Sequence, residues 1–353
     1  MLKTIKLNQL DSLEDPLIID VRTPSEFQED HHRNAINLPV LNDEQREEVG
    51  TIHNLDTTFE ARQIGARYIS ENLPGILERV EEKYYSDRAI VVYCWRGGMR
   101  SESLGLVLDR IGYPTYRIEG GYRSLRKNIK NYLESGNWPH PVVTLYGYTG
   151  TGKTEILHNL ANRGESIIDL EDLANHRGSA FGGVGLGEQP SQKWFEHRLY
   201  EQLDQSSAPL FLEGESRQIG RCHVPDRLYE DLANSPRIWV EANLEYRINN
   251  IMDEYEWPRE KDQLIQNLEH ISERFGSDKT SHLQDLLRKD RVESVVETLL
   301  TDYYDPAYDH SCPDRSEFDL IINGDNPEQS IRQILQWKNN QLSITTAQQS
   351  RET

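Results

Sequence analysis

The sequence predicts an α/β protein built from two parallel-sheet domains in series, and three features carry that expectation. Short apolar runs alternate with stretches of helical periodicity, the pattern of parallel strands joined by crossover helices. The chain has 353 residues, more than one hydrophobic core usually organises. A turn-rich segment at 135–141 (SGNWPHP) breaks the periodicity and separates two such series.

In the first series, 17–21 (LIIDV) and 89–93 (AIVVY) read as buried strands. Over 100–111 the apolar residues Leu104, Val107, Leu108 and Ile111 recur at helical spacing, and Gly112 with Pro114 stops the helix. A short strand at 115–118 leads to a helix over 122–133, which places the first domain at 1–134 and a linker at 135–141. A strand at 142–146 opens the second domain, expected to reach 342, with further strands at 166–169, 209–212, 237–241 and 318–322. Residues 243–303 are expected to be mainly helical and heavily charged, and 343–353 reads as a frayed polar tail.

Hydrophobic residues make up 36% of the chain and charged residues 28%, and no apolar run approaches the ~20 residues that span a bilayer. A soluble protein without a membrane partner is expected. Residues 1–10 alternate Lys with apolar residues and lack the features of a signal peptide, so a cytoplasmic location is expected. The three cysteines, Cys94, Cys222 and Cys312, contain no C-x-x-C pair, which argues against a disulfide framework or a zinc knuckle. Cys222 and Cys312 read as structural. The formal charge of −20 should repel nucleic acid, so any such binding must rest on local basic patches. Nothing in the pattern specifies an oligomer, and a monomer is the default.

Within AIVVYCWRGGMRSESLGLVL, Cys94 follows a buried strand and precedes a helix starting near Met99 or Arg100. That position seats the sulfur among backbone N–H groups at the positive end of a helix, and Arg96 and Arg100 add charge. A solvent-reachable thiolate nucleophile is the expectation, with the same donors able to bind an incoming oxyanion; the bland alternative is a small buried hydrophobe. The segment resembles the rhodanese family. Upstream, IIDVRTPSEFQEDHHRNAINLPV is similar to the family's first signature through Asp20, Arg22, Glu26, Phe27, His31, Ala35, Asn37 and Pro39, and YRIEGGYRSLR to its closing segment. The resemblance covers roughly residues 4–134 and implies a rhodanese-like fold. Two departures stand out: DHHRNA replaces a Gly-His-Ile-Pro-Gly-Ala type sequence, and five residues rather than four separate Cys94 from Arg100. Rhodanese-like phosphatases and arsenate reductases share that longer spacing, which leaves phosphatase chemistry open.

The second domain opens with VVTLYGYTGTGKTEILHNL, in which Gly147, Gly152, Lys153 and Thr154 form G-x-x-x-x-G-K-[ST] between a strand and a helix. A P-loop NTPase-like α/β domain with a helical C-terminal part follows. Thr149, Gly150 and the other loop amides would surround phosphate oxygens, Lys153 would neutralise charge, and Thr154 is a candidate Mg²⁺ ligand. ATP, GTP and a prenyl diphosphate all present the required shape. In PLFLEGESR, Glu213, Glu215 and Arg217 follow an apolar strand, and Asp169 ends another; these are candidates for acid–base or metal work, or else solvated charges. The glycine-dense stretch HRGSAFGGVGLGEQPSQKWFE is expected to be a mobile lid or substrate loop.

Together the segments NDEQREEVG, FEARQIGA, CWRGGMRS, GYTGTGKT, HRGSAFGG and EGESRQIG resemble the tRNA 2-selenouridine synthase family. The resemblance implies a transferase that replaces the sulfur of wobble 2-thiouridine by selenium from selenophosphate, in tRNAs with Lys, Glu or Gln acceptor identity. It also implies prior S-geranylation by geranyl diphosphate, an S-selanylcysteine at Cys94, no tightly bound cofactor, and a selenophosphate synthase as supplier. On this reading the basic run Arg117, Arg123, Arg126, Lys127 and Lys130, with Tyr116 and Tyr122 for base stacking, becomes a candidate tRNA contact. The bland reading is a solvated helix face. Competing functions are a P-loop kinase or nucleotidase with a rhodanese-type phosphatase or sulfurtransferase domain, a non-catalytic scaffold, and plain sulfur relay to tRNA.

Overall fold

The computed structural model describes residues 2–55, 58–85, 87–214 and 216–349. The chain divides into two compact units, Met1–Tyr132 and Leu133–Thr353.

The strands of the first unit are β1 (Lys3–Ile5), β2 (Leu17–Asp20), β3 (Ala35–Asn37), β4 (Ile90–Tyr93) and β5 (Thr115–Ile118). They form one parallel sheet of order β1-β5-β4-β2-β3. β2 and β4 are buried at every position, as expected of inner strands covered on both faces. β1 and β3, which the sequence does not reveal, are three-residue edge strands too short to show any periodicity. The helices are α1 (Pro24–Glu29), α2 (Asp43–Asn54), α3 (Thr58–Lys83), α4 (Met99–Ile111) and α5 (Tyr122–Ser135). α2 and α3, an antiparallel pair between β3 and β4, are likewise hidden in the sequence. α2 buries none of its side chains, and α3 buries only Ala61, Gly65, Ile76 and Val80, so neither shows a continuous apolar stripe.

The second unit contains β6 (Val142–Tyr146), α6 (Lys153–Ala161), β7 (Ser166–Ile168), α7 (Leu170–Ala174), α8 (Gln192–Gln205), β8 (Leu210–Glu213), a small hairpin of β9 (Gln218–Ile219) and β10 (Cys222–His223), α9 (Asp226–Asn234) and β11 (Arg237–Glu241). Next come α10 (Leu244–Glu254), α11 (Trp257–Phe275), α12 (Ser277–Arg288), α13 (Val292–Leu299), a π-helical turn at Leu300–Tyr304, α14 (Asp305–Ser311), β12 (Leu320–Asn323) and α15 (Pro327–Gln349). The main sheet is parallel, in the order β12-β11-β6-β8-β7, and the phosphate loop leaves its central strand. The helical part has its own core, in which Leu264, Leu268, Ile271 and Phe275 recur along α11 and meet Leu283, Leu287 and Val295.

α15 runs on to Gln349, into the stretch read as a frayed tail, whose last residues, 350–353, lie outside the described residues. After Pro327 at its start the helix contains neither Gly nor Pro, so polarity alone does not break it. Among the described residues no helix is long and apolar enough to cross a membrane.

Candidate functional site

Cys94 directly follows β4, and α4 begins five residues later behind the cap Gly98. Its sulfur accepts the Gly98 N–H at 3.3 Å. The Ser101 hydroxyl, on the first turn of α4, has two acceptors within reach, the Cys94 sulfur at 3.2 Å and the Gly98 carbonyl at 3.1 Å. One hydrogen serves both, and negative charge on sulfur would make it the stronger acceptor. Sequence reasoning does not single out Ser101, although it stands in the CWRGGMRS segment.

Two expectations about this loop are corrected. Cys94 is only 3% exposed and packs into the core with Val92, Leu104 and Leu108. Arg100 faces Glu26 instead, donating to its two carboxylate oxygens at 2.5 and 3.2 Å. A carboxylate matches the guanidinium fork better than one sulfur atom does. Burial pushes the Glu26 carboxyl up, but Arg100 and the Thr23 N–H more than offset it and hold it below the usual range. Arg96 is exposed, with no ion pair or hydrogen bond to its side chain among the described residues.

The turn before α5 closes the loop from below. Tyr122 and Arg123 donate their N–H groups to the carbonyls of Cys94 and Trp95 at 2.9 and 3.0 Å. Gly121, at φ +59, comes so close that a Cβ there would lie 2.1 Å from the Cys94 carbonyl oxygen. Tyr122 is buried, donates to Asp30 at 2.7 Å and lies 3.9 Å beneath the Arg22 guanidinium, so it cannot stack on a base as the sequence suggests. Arg22 in turn is paired with Asp20 at 2.6 Å.

In the second unit the loop from Gly147 to Thr154 joins β6 to α6, with Gly150 and Gly152 at φ +81. α10 grips this loop from behind. Arg247 donates to the Thr149 carbonyl at 2.9 Å and Asn250 to the Gly150 carbonyl at 2.9 Å, while Asp305 holds the Arg247 guanidinium at 2.6 and 2.9 Å. Carbonyls engaged from behind leave loop amides for a ligand. Lys153 lies back on the Gly147 and Tyr148 carbonyls at 3.1 and 3.4 Å, interactions that a phosphate would replace. The loop borders a cleft of about 860 Å³, also lined by Glu213, Arg177, Glu254 and Arg274.

Residues 6–128 match the family model of the rhodanese-like domain, and residues 140–342 match that of the tRNA 2-selenouridine synthase AAA domain. The chain belongs to the tRNA 2-selenouridine synthase family. The tRNA 2-selenouridine synthase of Pseudomonas syringae pv. syringae is 33% identical, covering 84% of this chain and 88% of that one. Its counterpart in Pseudomonas syringae pv. tomato is 34% identical over the same shares. That of Marinobacter nauticus is 32% identical, covering 88% and 92%.

The remaining candidates divide within this family framework. Thr154 and the buried Glu213 both line the cleft, and a hydroxyl with a carboxylate is a donor set that suits Mg²⁺, which takes its other ligands from phosphate and water. Asp169 does not line the cleft: it caps α7 by accepting the Asp172 N–H at 2.8 Å and pairs with His158 at 2.9 Å. Arg217 is exposed, pairs with Asp226 at 3.3 Å and covers the Tyr229 ring, also away from the cleft. Both follow an apolar strand in the sequence as Glu213 does, but a strand end supplies a capping residue as readily as a ligand. Glu215 lies outside the described residues.

Two cleft residues escape sequence reasoning. Glu254 faces the cleft at the end of α10, and the protein around it pushes its carboxyl up despite the pull of Arg177 and Lys153. His176 is pushed down by burial and by Arg177. The glycine-dense segment lines the cleft, but it is pinned rather than loose. Arg177 donates to the Val184 carbonyl at 2.8 Å and covers Tyr255, while Phe181 and Val184 are buried in the helical core. Within the basic run, Arg117 pairs with Glu102 at 3.5 Å, whereas Arg123, Lys127 and Lys130 are exposed and Arg126 is half-buried.

Proposed function

We propose that this chain is a tRNA-modifying transferase that exchanges the 2-thio sulfur of a wobble uridine for selenium in two steps. In the first, the sulfur attacks C1 of geranyl diphosphate; an S–C bond forms, a C–O bond breaks and diphosphate leaves. In the second, the selenium of selenophosphate, held at the Cys94 loop, attacks C2 of the alkylated base. A C–Se bond forms there, the C–S bond breaks and geranyl thiol departs; water then cleaves the Se–P bond and phosphate leaves, so selenium stays at the selenide level throughout. An S-selanylcysteine on Cys94 would need a two-electron oxidant that selenophosphate does not supply. Alkylation is needed because sulfide leaves poorly, whereas a thiolate leaves more readily.

One observation carries the reading: at the start of α4 the Gly98 N–H is aimed at the Cys94 sulfur at 3.3 Å, a donor that an incoming anion could share. The amides of 95–98 and the exposed Arg96 suit the oxyanion of selenophosphate. The phosphate loop and Lys153 would hold the diphosphate, and Thr154 with Glu213 would hold Mg²⁺, which neutralises charge on the leaving group. The acceptors are tRNAs of Lys, Glu or Gln identity, met in the cytoplasm, with a selenophosphate synthase as supplier.

The test uses purified protein, thiolated tRNA, geranyl diphosphate and selenophosphate, read by mass spectrometry of the nucleosides. Lys153→Ala should abolish the geranylated nucleoside, and Cys94→Ala should let it accumulate without selenation. Normal selenouridine from Cys94→Ala would remove this cysteine from the second step. Steady ATP hydrolysis without tRNA would favour the kinase reading instead.

A further inference from the structure

Beside the phosphate cleft lies a smaller apolar cavity of about 40 Å³. Leu264, Leu268, Leu287 and Leu299 form much of its wall, and Thr149, Ser179 and Tyr304 belong to both spaces. A ligand seated on the phosphate loop therefore has this cavity next to its head group.

Resting on the reading of the loop as a diphosphate site, we propose that the cavity receives the hydrocarbon chain of the prenyl donor and that Leu268 limits its length. Among the described residues no charged side chain lines the cavity. Two of its polar aromatics are engaged elsewhere: the Trp257 indole N–H donates to the Met252 carbonyl at 3.0 Å, and the Tyr255 hydroxyl to the Phe181 carbonyl at 3.4 Å. Apart from the hydroxyls of Thr149, Ser179 and Tyr304, which also border the cleft, the wall offers a nucleotide base few partners, whereas an isoprenoid needs none. The empty space, about 40 Å³, is smaller than a ten-carbon chain, so it seats the end of the chain next to the diphosphate and the surrounding leucines must repack to admit the rest. Leu268 is fully buried on α11, while Thr149 and Ser179 are part-exposed on the cleft side, so the leucine stands at the deep end. The sequence hides the feature because its lining comes from the phosphate loop, the glycine-dense segment and five helical stretches.

The experiment measures equilibrium binding of inorganic diphosphate, dimethylallyl diphosphate, geranyl diphosphate and farnesyl diphosphate to the full-length protein. Each buried methylene strengthens binding about fourfold, so the wild type should bind geranyl diphosphate at least tenfold more tightly than inorganic diphosphate. Leu268→Trp should lose that gain while keeping its affinity for inorganic diphosphate, which also reports an intact fold. Leu268→Ala should shift preference toward farnesyl diphosphate by about fivefold or more, and it decides the matter if the tryptophan variant does not fold. Equal binding of all four by the wild type, or chain preference unchanged in both variants, overturns the inference and leaves the diphosphate site standing. Failure of all four to bind, or binding undiminished in Lys153→Ala, removes the diphosphate reading itself.

Discussion

The pair formed by Arg100 and Glu26 ties the first turn of α4 to α1, with side chains 14% and 22% exposed. Glu26 also completes the capping box of α1 by accepting the Thr23 N–H at 3.0 Å. Its lowered carboxyl makes a definite prediction about acid. A carboxylate whose folded value is depressed stabilises the protein above its ordinary value of 4.5, and the contribution vanishes as pH falls through the folded value. Glu26→Gln should therefore cost about 1–2 kcal/mol near neutral pH, and thermal melts should show the variant giving up less stability than wild type as acid is added from about pH 5 to about pH 3. An identical acid profile in both proteins would show that the pair contributes nothing.

At the scale of elements, both candidate centres occupy a turn from a parallel strand into a helix, and each is braced by a second element. The α5 turn braces the cysteine loop and α10 braces the phosphate loop. Gly121 shows how closely the first pair fits: a side chain there would meet the Cys94 carbonyl and the Gly97 N–H in a left-handed conformation. Gly121→Ala should cost about 3 kcal/mol or more, seen as a lowered melting transition, and selenouridine formation should fall while the geranylated nucleoside accumulates. Equal loss of both products would place the effect outside the cysteine loop.

Across the whole chain, a formal charge of −20 sets a field that opposes RNA, so any approach must be local. Arg123 and Lys127 are exposed on α5, which follows the turn beneath Cys94. Reversing both, as R123E with K127E, should weaken tRNA binding and flatten its dependence on log salt by about 1 for each phosphate that is no longer neutralised. An unchanged salt slope in filter binding or titration would leave α5 as an ordinary solvated helix. Charge reversal at Arg117, already paired with Glu102, should have the smaller effect.

Much of this is legible in the residues themselves. The apolar strands LIID and IVVY, the stop at Gly112, and the two loops between strand and helix are set by neighbours in the chain, and local sequence dictates them. What only the tertiary structure decided are meetings between distant residues: Arg100 with Glu26, Tyr122 with Asp30 and Arg22, and α10 with the phosphate loop. The same holds for the burial of Cys94 and for the apolar cavity beside Thr149. A motif specifies backbone geometry over a few residues, but the partner a side chain finds depends on which surfaces the packed core brings within reach.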